Sequence, residues 1–462
     1  MKTLTISAFL SSLALCATLA TAQDITPTRV GPVSQYGQLM TGKNSQGQGR
    51  IYGSCEGVKD GAEVQVRGMS LYWSLMPQAV DFWSEEGITS MVNDMKIQIV
   101  RAALATGDEN WKGEWNGIQL KGYASDPNNQ KQFVKTVVEA AIKNDIYVII
   151  DWHSHTAHQQ TDASKNFFKE MAEAYGQYNN VIFEIYNEPQ KIEWDLIKSY
   201  ADEVVAEIRK YSDNLVLVGT PEWDQYPNRV IGKEVNDPKQ NTAYTFHYYS
   251  GTHCISGMHP GNEFWACEGE HAIEAMNAGL SVFVSEWGTT TADGKGDVAG
   301  DNDGWQNWLN SNKLSWANWS ASKISEGSAA FSNQATTTNL AFSNSGNKVK
   351  SYLATNPEQY SKCGSGNGEN SGDNNGSENG NNNENTPVFL KTDLGFNVTF
   401  TENALHIAGG NATVEIYSIK GDKLIKVDNV SGTLSLASLP VGKYFTRIQM
   451  GSSKIVRTIQ IK

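Results

Sequence analysis

The sequence lacks any long hydrophobic run after its opening segment. Nothing beyond that segment approaches the roughly 18 to 20 apolar residues that a membrane-spanning helix needs, so we expect no membrane span. Residues 1–22 contain Lys2, an apolar run and a small-residue pattern (ATA) before Gln23. These features predict a secretory signal that is removed from a secreted or cell-surface protein.

Positive charge is also scarce. The 462 residues include 37 Lys and Arg against 50 Asp and Glu, which gives a net charge of -13. Such a chain repels phosphate backbones and anionic lipid, so nucleic acid and membrane surfaces are excluded as expected partners. A neutral polymer remains compatible with this charge.

Cysteine is rare, with five residues in all, and Cys16 lies inside the predicted signal. A lipid anchor on Cys16 is an alternative, but the bulky residue before it disfavours such an anchor. Cys55, Cys254, Cys267 and Cys363 remain, and an even number in an oxidising compartment favours two disulfides over free thiols. Three pairings are possible, and our hypothesis joins Cys254 to Cys267 and Cys55 to Cys363.

Apolar side chains are absent from residues 364–386, which are rich in Asn, Gly and Ser. Such a segment cannot bury enough surface to fold, so it is interpreted as a disordered linker. All 13 tryptophans precede it, between Trp73 and Trp319. The expected organisation is therefore a large aromatic-rich domain at 23–363 and a smaller domain at 387–462.

Residues 387–462 contain short alternating runs such as VEIYSI and KYFTRIQ, separated by Gly, Asn and Ser. This pattern predicts a small all-β sandwich. The order GNATVEIYSIKGDKL, then SLASLPVGKYFTRI, resembles the C-terminal sorting or anchoring domains of large exported bacterial proteins, which implies export or attachment machinery as a partner. A carbohydrate-binding or spacer module is the alternative.

Buried-strand patterns alternate with helical patterns between residues 60 and 355. Segments such as 128–144 and 195–211 space apolar residues at three and four, as amphipathic helices do. Eight strands in this α/β pattern predict a (β/α)8 TIM barrel. The predicted strands are 64–69, 97–103, 146–152, 181–187, 214–219, 242–248, 281–286 and 314–320.

Polar residues mark the predicted ends of these strands, where barrels of this kind build their active sites. Two carboxylates, on strands four and seven, would face each other across the mouth of the barrel, as acid/base and nucleophile chemistry at an acetal carbon requires. The polar and aromatic residues at the strand ends are Arg101, His153, Asn187, Glu188, His247, Tyr249, Glu286 and Trp319.

The motifs at these positions, taken in order, resemble the bacterial endoglucanases of glycoside hydrolase family 5. The resemblance covers nearly the whole of the larger domain. It implies a retaining endo-β-1,4-glucanase that acts on cellulose or related β-glucans. The motifs are RGMS (67–70), VRAAL (100–104), VIIDWH (148–153), EIYNEP (184–189), HYY (247–249), SEWG (285–288) and SWANWS (315–320).

The resemblance implies that Glu188 is the acid/base and Glu286 the nucleophile. Arg101 would keep Glu286 ionised through a charge-assisted hydrogen bond, while Glu188 needs a raised pKa to hold its proton. Tyr249 would hydrogen-bond the nucleophile and Asn187 the sugar 2-hydroxyl. The expected hydrogen-bonding wall is completed by His153 and His247.

Aromatic faces stack on glucose rings, so Trp73, Trp223 and Trp319 are expected sugar platforms. Lys323 is expected to reach a sugar hydroxyl, because the family carries a lysine near this place. The expected substrates are cellulose, carboxymethylcellulose and mixed-linkage glucan, cleaved within the chain by a monomer that needs no cofactor or metal.

Four alternatives accompany this interpretation. The cluster of His153, His155 and His158 could ligate a metal, and the acidic loop 289–304 could bind calcium. The chain could be a carbohydrate-binding protein without catalysis, although both carboxylates and their supports are present. It could also cleave β-mannan, xyloglucan or mixed-linkage glucan, because the chemistry is shared and only the cleft differs.

Overall fold

The computed structural model describes residues 25–55, 62–107, 113–259 and 266–363 of the larger part of the chain. In the C-terminal part it describes 388–391, 397–401, 404–418, 423–450 and 453–461. The chain divides into two compact units, Met1–Cys363 and Gly364–Lys462. The predicted signal at 1–22 and the predicted linker at 364–386 lie outside the described residues.

The first unit alternates strands and helices, as its sequence pattern predicts. Its strands are β1 (Leu39–Lys43), β2 (Gly49–Gly53), β3 (Arg67–Leu71), β4 (Ile99–Ala105), β5 (Gly113–Trp115), β6 (Ile118–Leu120), β7 (Tyr147–His153), β8 (Val181–Glu184), β9 (Val216–Val218), β10 (Thr242–Tyr249), β11 (Val282–Gly288) and β12 (Trp316–Ala321). Its helices are α1 (Pro32–Tyr36), α2 (Pro77–Val80), α3 (Glu85–Met95), α4 (Pro127–Lys143), α5 (Thr161–Tyr175), α6 (Trp194–Ile208), α7 (Pro221–Asp224), α8 (Glu268–Asn277), α9 (Asn302–Ser311) and α10 (Asn344–Leu353).

Eight of these strands close into a barrel in the order β3-β4-β7-β8-β9-β10-β11-β12, with β12 hydrogen-bonded back to β3. Every neighbouring pair is parallel. The prediction of a (β/α)8 barrel is confirmed, and each observed strand overlaps its predicted range. Closure leaves this sheet no free edge, so every strand contributes to one central site.

The longer helices form because each presents an apolar stripe to the barrel, and at some of them local signals also mark the ends. The longest, α4, begins at Pro127, whose fixed φ suits the first helical position. The carboxylate of Asp126 accepts a hydrogen bond from the backbone N–H of Asn129 and so caps the helix. Val134, Val137 and Val138 of the same helix are buried against the barrel.

The interior of the barrel changes from apolar to charged along its axis. At the N-terminal ends of the strands the interior is filled by residues such as Ile99, Ile149, Ile182 and Phe283. Because successive side chains alternate between faces, the residue two positions further on each strand also points inward. Those residues are Arg101, Asp151, Glu184 and Ser285, all completely buried.

The hairpin of β1 and β2 closes the N-terminal end of the barrel. Leu39 and Ile51 belong to the same buried cluster as the inward residues of the strands. The Tyr147 hydroxyl donates to the carbonyl oxygen of Gly37 at 2.6 Å, which ties the segment before the hairpin to the barrel wall. The opposite, C-terminal end of the barrel is the one where polar side chains collect.

Both disulfides of the sequence hypothesis are present in the structure. Cys55 is bonded to Cys363, 308 residues away, so the two ends of the first unit are linked. Cys254 is bonded to Cys267 and closes a short loop after β10. Among the described residues, no helix is long and apolar enough to cross a membrane.

The C-terminal unit is all-β, as predicted. Its six strands are antiparallel and follow the path β13-β14-β15-β17-β18, with β16 paired to β15. The long strand β15 pairs with β14 through its first half and with β17 through its second half. These strands are β13 (Val388–Lys391), β14 (Asn397–Thr401), β15 (Ala404–Ser418), β16 (Lys423–Ser435), β17 (Gly442–Met450) and β18 (Ser453–Ile461).

Candidate active site

A buried guanidinium lies at the centre of the polar end of the barrel. Arg101 is the third residue of β4, so it lies within the strand rather than at its end. Its Nε and Nη2 donate to both carboxylate oxygens of Glu184, at 2.8 and 3.0 Å. Its Nη2 is also 2.9 Å from Asp151, and its Nη1 donates to Oε2 of Glu286 at 2.9 Å. One cation therefore serves three carboxylates from three other strands.

Glu286 owes its orientation to an irregularity in β11. In the register with β10, Thr245 pairs with Phe283 but His247 pairs with Glu286, so β11 has one extra residue there. Such a bulge re-aims the side chain that follows it. The side chain of Glu286 thereby reaches both Arg101 and the hydroxyl of Tyr249, which donates to its Oε1 at 2.8 Å.

The Glu286 carboxyl is held in its ionised form. Burial alone would raise its pKa, but the positive potential of His247 and Arg101 and the hydrogen bond from Tyr249 outweigh burial, and the pKa of Glu286 is lowered. Both carboxylate oxygens accept hydrogen bonds, which stabilises the charge. This group is suited to act as a nucleophile.

Glu188 has the opposite character. Burial and the nearby negative charge of Glu286 raise the pKa of Glu188 to about 8. Its Oε1 lies 3.1 Å from Nδ1 of His247, and its Oε2 lies 3.7 Å from Nδ1 of His155. A carboxyl group that keeps its proton at neutral pH can donate that proton to a leaving group.

The two carboxyls are close together. One oxygen of Glu188 and one of Glu286 lie within 4.8 Å of each other and of a ring nitrogen of His247. Because the pKa of one group is raised and that of the other lowered, the pair combines a proton donor with an anion. Such a pair can protonate a leaving oxygen while attacking the carbon that bears it.

His153 is the last residue of β7 and is buried. Its Nδ1 is 2.8 Å from Asp151, and its ring stacks on Trp319 with centroids 5.3 Å apart and planes 6° apart. Burial, followed by the charge of Arg101, lowers the pKa of His153 well below its usual value, so the ring is neutral near pH 7. Trp73 contacts the other side of His153 edge-on at 5.3 Å.

His247 connects the two halves of the site through a hydroxyl. Its Nε2 is 2.9 Å from the Ser285 hydroxyl, which donates to Oε1 of Glu184 at 2.9 Å. Its Nδ1 faces Glu188. Because the Ser285 hydroxyl donates its proton to Glu184, it accepts a hydrogen bond from Nε2 of His247.

Asn187 is a buried neighbour of the guanidinium. Its side-chain oxygen accepts from Nη2 of Arg101 at 2.7 Å. Its Nδ2 is buried and has no hydrogen-bond partner among the residues that the structure describes. A buried amide donor without a partner is costly, so this group is available for a ligand oxygen.

Aromatic side chains form one wall of the site. Trp319 packs with Tyr249 and Ala103, and Tyr72 and Trp73 pack against this cluster. The Tyr72 ring lies 4.8 Å from that of Trp319, and its hydroxyl donates to Glu326 at 2.9 Å. Together these side chains give the wall the apolar faces that stack on sugar rings.

Two residues expected to bind substrate lie in different surroundings from the rest. Trp223 lies on the turn of α7 and is 36% exposed, with the Lys191 ammonium 5.7 Å from its ring centroid. Lys323 is paired with Asp81 at 3.0 Å, and Asp81 also accepts from Nε1 of Trp115. Lys323 therefore links the loop after β12 to the loop after β3.

The geometry does not favour metal binding at the histidine cluster or calcium binding at the acidic loop. Among the described residues, two groups bring three ligand atoms within 4.8 Å of one another, and neither unites His153, His155 and His158. One is the Glu188, His247 and Glu286 cluster, and the other contains Cys254, which is in a disulfide. In the loop 289–304, the aspartates bind local partners, such as Asp301 capping α9 and Asp303 pairing with Lys348.

Several residues of the site are not among those predicted from the sequence. Asp151 and Glu184 belong to the quoted motifs but are not among the predicted site residues. Asp151 lies two positions before His153 on β7, and Glu184 lies at the end of β8, four positions before Glu188. Because every second side chain of a strand points to the same face, the inward-facing positions of β7 and β8 include both residues. Ser285 likewise belongs to the quoted motif SEWG, whereas Asp224 lies outside every quoted motif and no sequence signal distinguishes it from a structural residue.

The chain matches known proteins over its first unit. The family model for cellulase (glycosyl hydrolase family 5) matches residues 58–325. Endoglucanase Z of Dickeya dadantii is 39% identical over 295 residues, which is 63% of this chain and 62% of that protein. Endoglucanase A of Evansella cellulosilytica is 38% identical over 281 residues, 58% of this chain and 51% of that protein. The chain thus spans between half and two thirds of the length of these two relatives.

A solved structure matches over a similar share of the chain. The catalytic domain of an endoglucanase from Thermobifida fusca is 26% identical, with a TM-score of 0.58, and the match covers 71% of this chain and all of that domain. A variant of that domain, in complex with cellotetraose, has a TM-score of 0.56.

We predict that Arg101→Met lowers the free energy of unfolding of the first unit by about 3–5 kcal/mol at pH 7. The substitution keeps most of the volume but leaves Asp151, Glu184 and Glu286 buried without their shared cation. Urea denaturation followed by tryptophan fluorescence measures this loss. Arg229→Met is the control, because its partner Glu222 is partly exposed and the pair should contribute less than about 1 kcal/mol. Equal effects of the two substitutions would contradict the central role of Arg101.

Proposed function

The chain belongs to glycosyl hydrolase family 5, and from this membership we propose that it is a retaining endo-β-1,4-glucanase that cleaves internal bonds of cellulose or a related β-glucan. The observation that carries the proposal is the close pair of Glu188 and Glu286 with opposite proton affinities. The curated relatives above are named endoglucanases, and the ligand of the Thermobifida fusca complex is a cello-oligosaccharide.

The spacing of the two carboxyls supports retention of configuration. Retaining glycosidases hold their carboxyls about 5–5.5 Å apart, whereas inverting enzymes leave about 6.5–9.5 Å for a water molecule. One oxygen of Glu188 and one oxygen of Glu286 lie within 4.8 Å of each other, which fits the shorter separation. The arrangement therefore favours direct attack by Glu286.

The reaction takes two steps. In the first, a carboxylate oxygen of Glu286 bonds to the anomeric carbon, the bond to the leaving oxygen breaks, and Glu188 gives its proton to that oxygen. In the second, Glu188 takes a proton from water, and the water oxygen displaces Glu286 from the anomeric carbon. The hydrogen bonds from Arg101 and Tyr249 weaken as the Glu286 carboxylate becomes an ester. They stabilise the carboxylate again when Glu286 leaves the anomeric carbon.

Neighbouring groups position the sugar. The unpartnered Nδ2 of Asn187 is suited to donate to the 2-hydroxyl, a contact that strengthens in an oxocarbenium-like transition state. Trp319, stacked on the neutral ring of His153, offers an aromatic surface beside the nucleophile. Trp73 and Trp223 are the further platforms of this proposal, and Lys323, which is paired with Asp81, is proposed to reach a sugar hydroxyl.

The proposed setting is extracellular, with the protein acting as a secreted or surface-attached monomer. The two disulfides suit an oxidising compartment. The organisation that goes with this is a signal at 1–22, a catalytic domain at 23–363, a linker at 364–386 and a sorting or anchoring domain at 387–462. The antiparallel unit at the C-terminus is the part expected to engage export or attachment machinery.

We predict that Glu188→Gln and Glu286→Gln each reduce hydrolysis of carboxymethylcellulose by at least about 10³-fold. Each substitution keeps the shape of the side chain. Glu188→Gln removes the group that transfers the proton, and Glu286→Gln removes the nucleophile. Reducing-sugar release measures the rates, with Glu203→Gln, an exposed glutamate paired with Lys165, as the matched control.

The two roles can be separated with azide. With an activated aryl cellobioside, azide should rescue Glu188→Ala and give a β-glycosyl azide, and it should give the α-product with Glu286→Ala. Full activity of both Gln variants would contradict the assigned pair. An inactive parent enzyme on carboxymethylcellulose, but active on β-mannan or xyloglucan, would keep the mechanism and change the substrate.

We predict a basic limb in the pH profile of kcat/KM near pH 8. The pKa of Glu188 is raised to about 8, so its acid form is lost as the pH rises through this value. The limb should appear with cellotetraose and be absent, over the same range, with a dinitrophenyl cellobioside, whose leaving group needs no proton. A limb shared by both substrates would assign the titration to another group.

We predict that deletion of 387–462 leaves the kcat/KM for cellotetraose within about twofold, because all the residues assigned to catalysis lie in the first unit. If the C-terminal domain sorts or anchors the enzyme, the deleted protein should stay inside the cells that produce it. Cell fractionation measures this. Normal export with weaker retention on insoluble cellulose would instead identify a carbohydrate-binding module.

A further inference from the structure

The turn that follows β9 has an unusual backbone. Three successive residues without a glycine, Glu222, Trp223 and Asp224, have φ angles of 55°, 59° and 62°. This left-handed conformation is unfavourable for residues with a Cβ atom and persists only where the surrounding structure enforces it. Clusters of such residues occur at functional sites, so this turn is expected to position a functional side chain.

The turn places the carboxylate of Asp224 against the backbone of Glu188. Asp224 is completely buried, and its Oδ2 accepts the backbone N–H of Glu188 at 2.9 Å. Its Oδ1 accepts the backbone N–H of Thr220, which fixes the carboxylate within its own turn. Asp224 thus connects the loop after β9 to the loop after β8.

Glu188 needs such support because its own backbone is also left-handed, with φ at 48°. Its N–H is bound by Asp224, and its carbonyl oxygen lies 3.1 Å from Nδ1 of His155. The peptide groups on both sides of the Glu188 Cα are therefore held by side chains. The direction of the Glu188 side chain follows from this clamp, since φ and ψ decide where the Cβ points.

The same carboxylate competes for the imidazole that faces Glu188. Nδ1 of His247 lies 3.1 Å from Oε1 of Glu188 and 3.5 Å from Oδ2 of Asp224. The opposite ring nitrogen is engaged by Ser285. Only one carboxyl can use Nδ1 at a time as a hydrogen-bond partner of good geometry.

We propose that Asp224 is a positioning residue for Glu188, which it holds through the Glu188 backbone N–H, beside the His247 imidazole that both carboxyls face. This role rests on the proposed function of Glu188 as the acid/base. It assigns to the left-handed turn a task in the reaction beyond presenting Trp223 to solvent.

The charges around the pair support this role. Burial raises the pKa of Asp224 to about 7, although His247 and a hydrogen bond from Thr245 act against it. Asp224 is therefore largely ionised at pH 8, where its charge opposes ionisation of Glu188. The other titratable or charged groups that face Glu188 are Glu286, His155, Arg101, Asp151 and His247.

The test compares Asp224→Asn with the parent enzyme on two substrates. Asparagine keeps the size but removes the charge and has one acceptor oxygen in place of two, so it cannot serve the N–H groups of Glu188 and Thr220 as the two carboxylate oxygens do. We expect kcat/KM for cellotetraose to fall about 10- to 100-fold, because the acid is misplaced. We expect kcat/KM for dinitrophenyl cellobioside to change less than about threefold, because its leaving group needs no proton. The basic limb with cellotetraose should move down by about 0.5 pH unit or more, because a neighbouring negative charge is lost.

The matched control is Asp237→Asn. Asp237 is also buried and bonded to backbone N–H groups and to Arg209, but it lies before β10 at the other end of the barrel. This control should lower the melting temperature without changing the ratio of kcat/KM for the two substrates. Asp224→Ser, which also accepts a hydrogen bond, serves if the asparagine variant does not fold.

The outcomes separate the two levels of the proposal. Equal losses on both substrates, or an unchanged ratio and pH profile, would overturn the positioning role while the proposed function stands. A parent enzyme that cleaves neither substrate would overturn the proposed function itself, and the role of Asp224 with it. A selective loss on cellotetraose with a shifted basic limb supports the role.

Discussion

The site depends on the pairing of Arg101 with three buried carboxylates. A cation without partners is not tolerated in a dry interior, and neither is a carboxylate. The planar guanidinium resolves both problems, because its five N–H donors point to Asp151, Glu184 and Glu286 at once. The network allows the barrel interior, which is apolar at its N-terminal end, to become charged at its C-terminal end without unpaired charge.

The division of labour between the two glutamates follows from this network. Glu286 accepts hydrogen bonds from Arg101 and Tyr249, so its negative charge is stabilised. Glu188 instead faces His247, and burial together with the negative charge of Glu286 raises the pKa of Glu188. Two chemically identical side chains thus acquire opposite roles from their neighbours within a few ångströms.

Much of this could be predicted from the sequence. The eight barrel strands were predicted because strands buried on both faces read as apolar runs between amphipathic helices. Residues such as Glu188 and His153 were found because they end such runs. The second strand was predicted to end at residue 103, but β4 continues for two more residues to Ala105, so Arg101 lies within the strand and not at its end. The apolar alternation that marks a strand does not reveal where its hydrogen bonding to the neighbours stops.

The sequence by itself determined the fold class, the order of the strands and which polar residues lie near the open end of the barrel. It did so because apolar periodicity and strand polarity are local properties of the chain. Only the tertiary structure decided the contacts between strands. The bulge that turns Glu286 toward Arg101 and Tyr249, the bond from Glu188 to Asp224 and the pairing of Lys323 with Asp81 all join distant segments. Such contacts depend on register and backbone angles, which one strand or turn cannot specify alone.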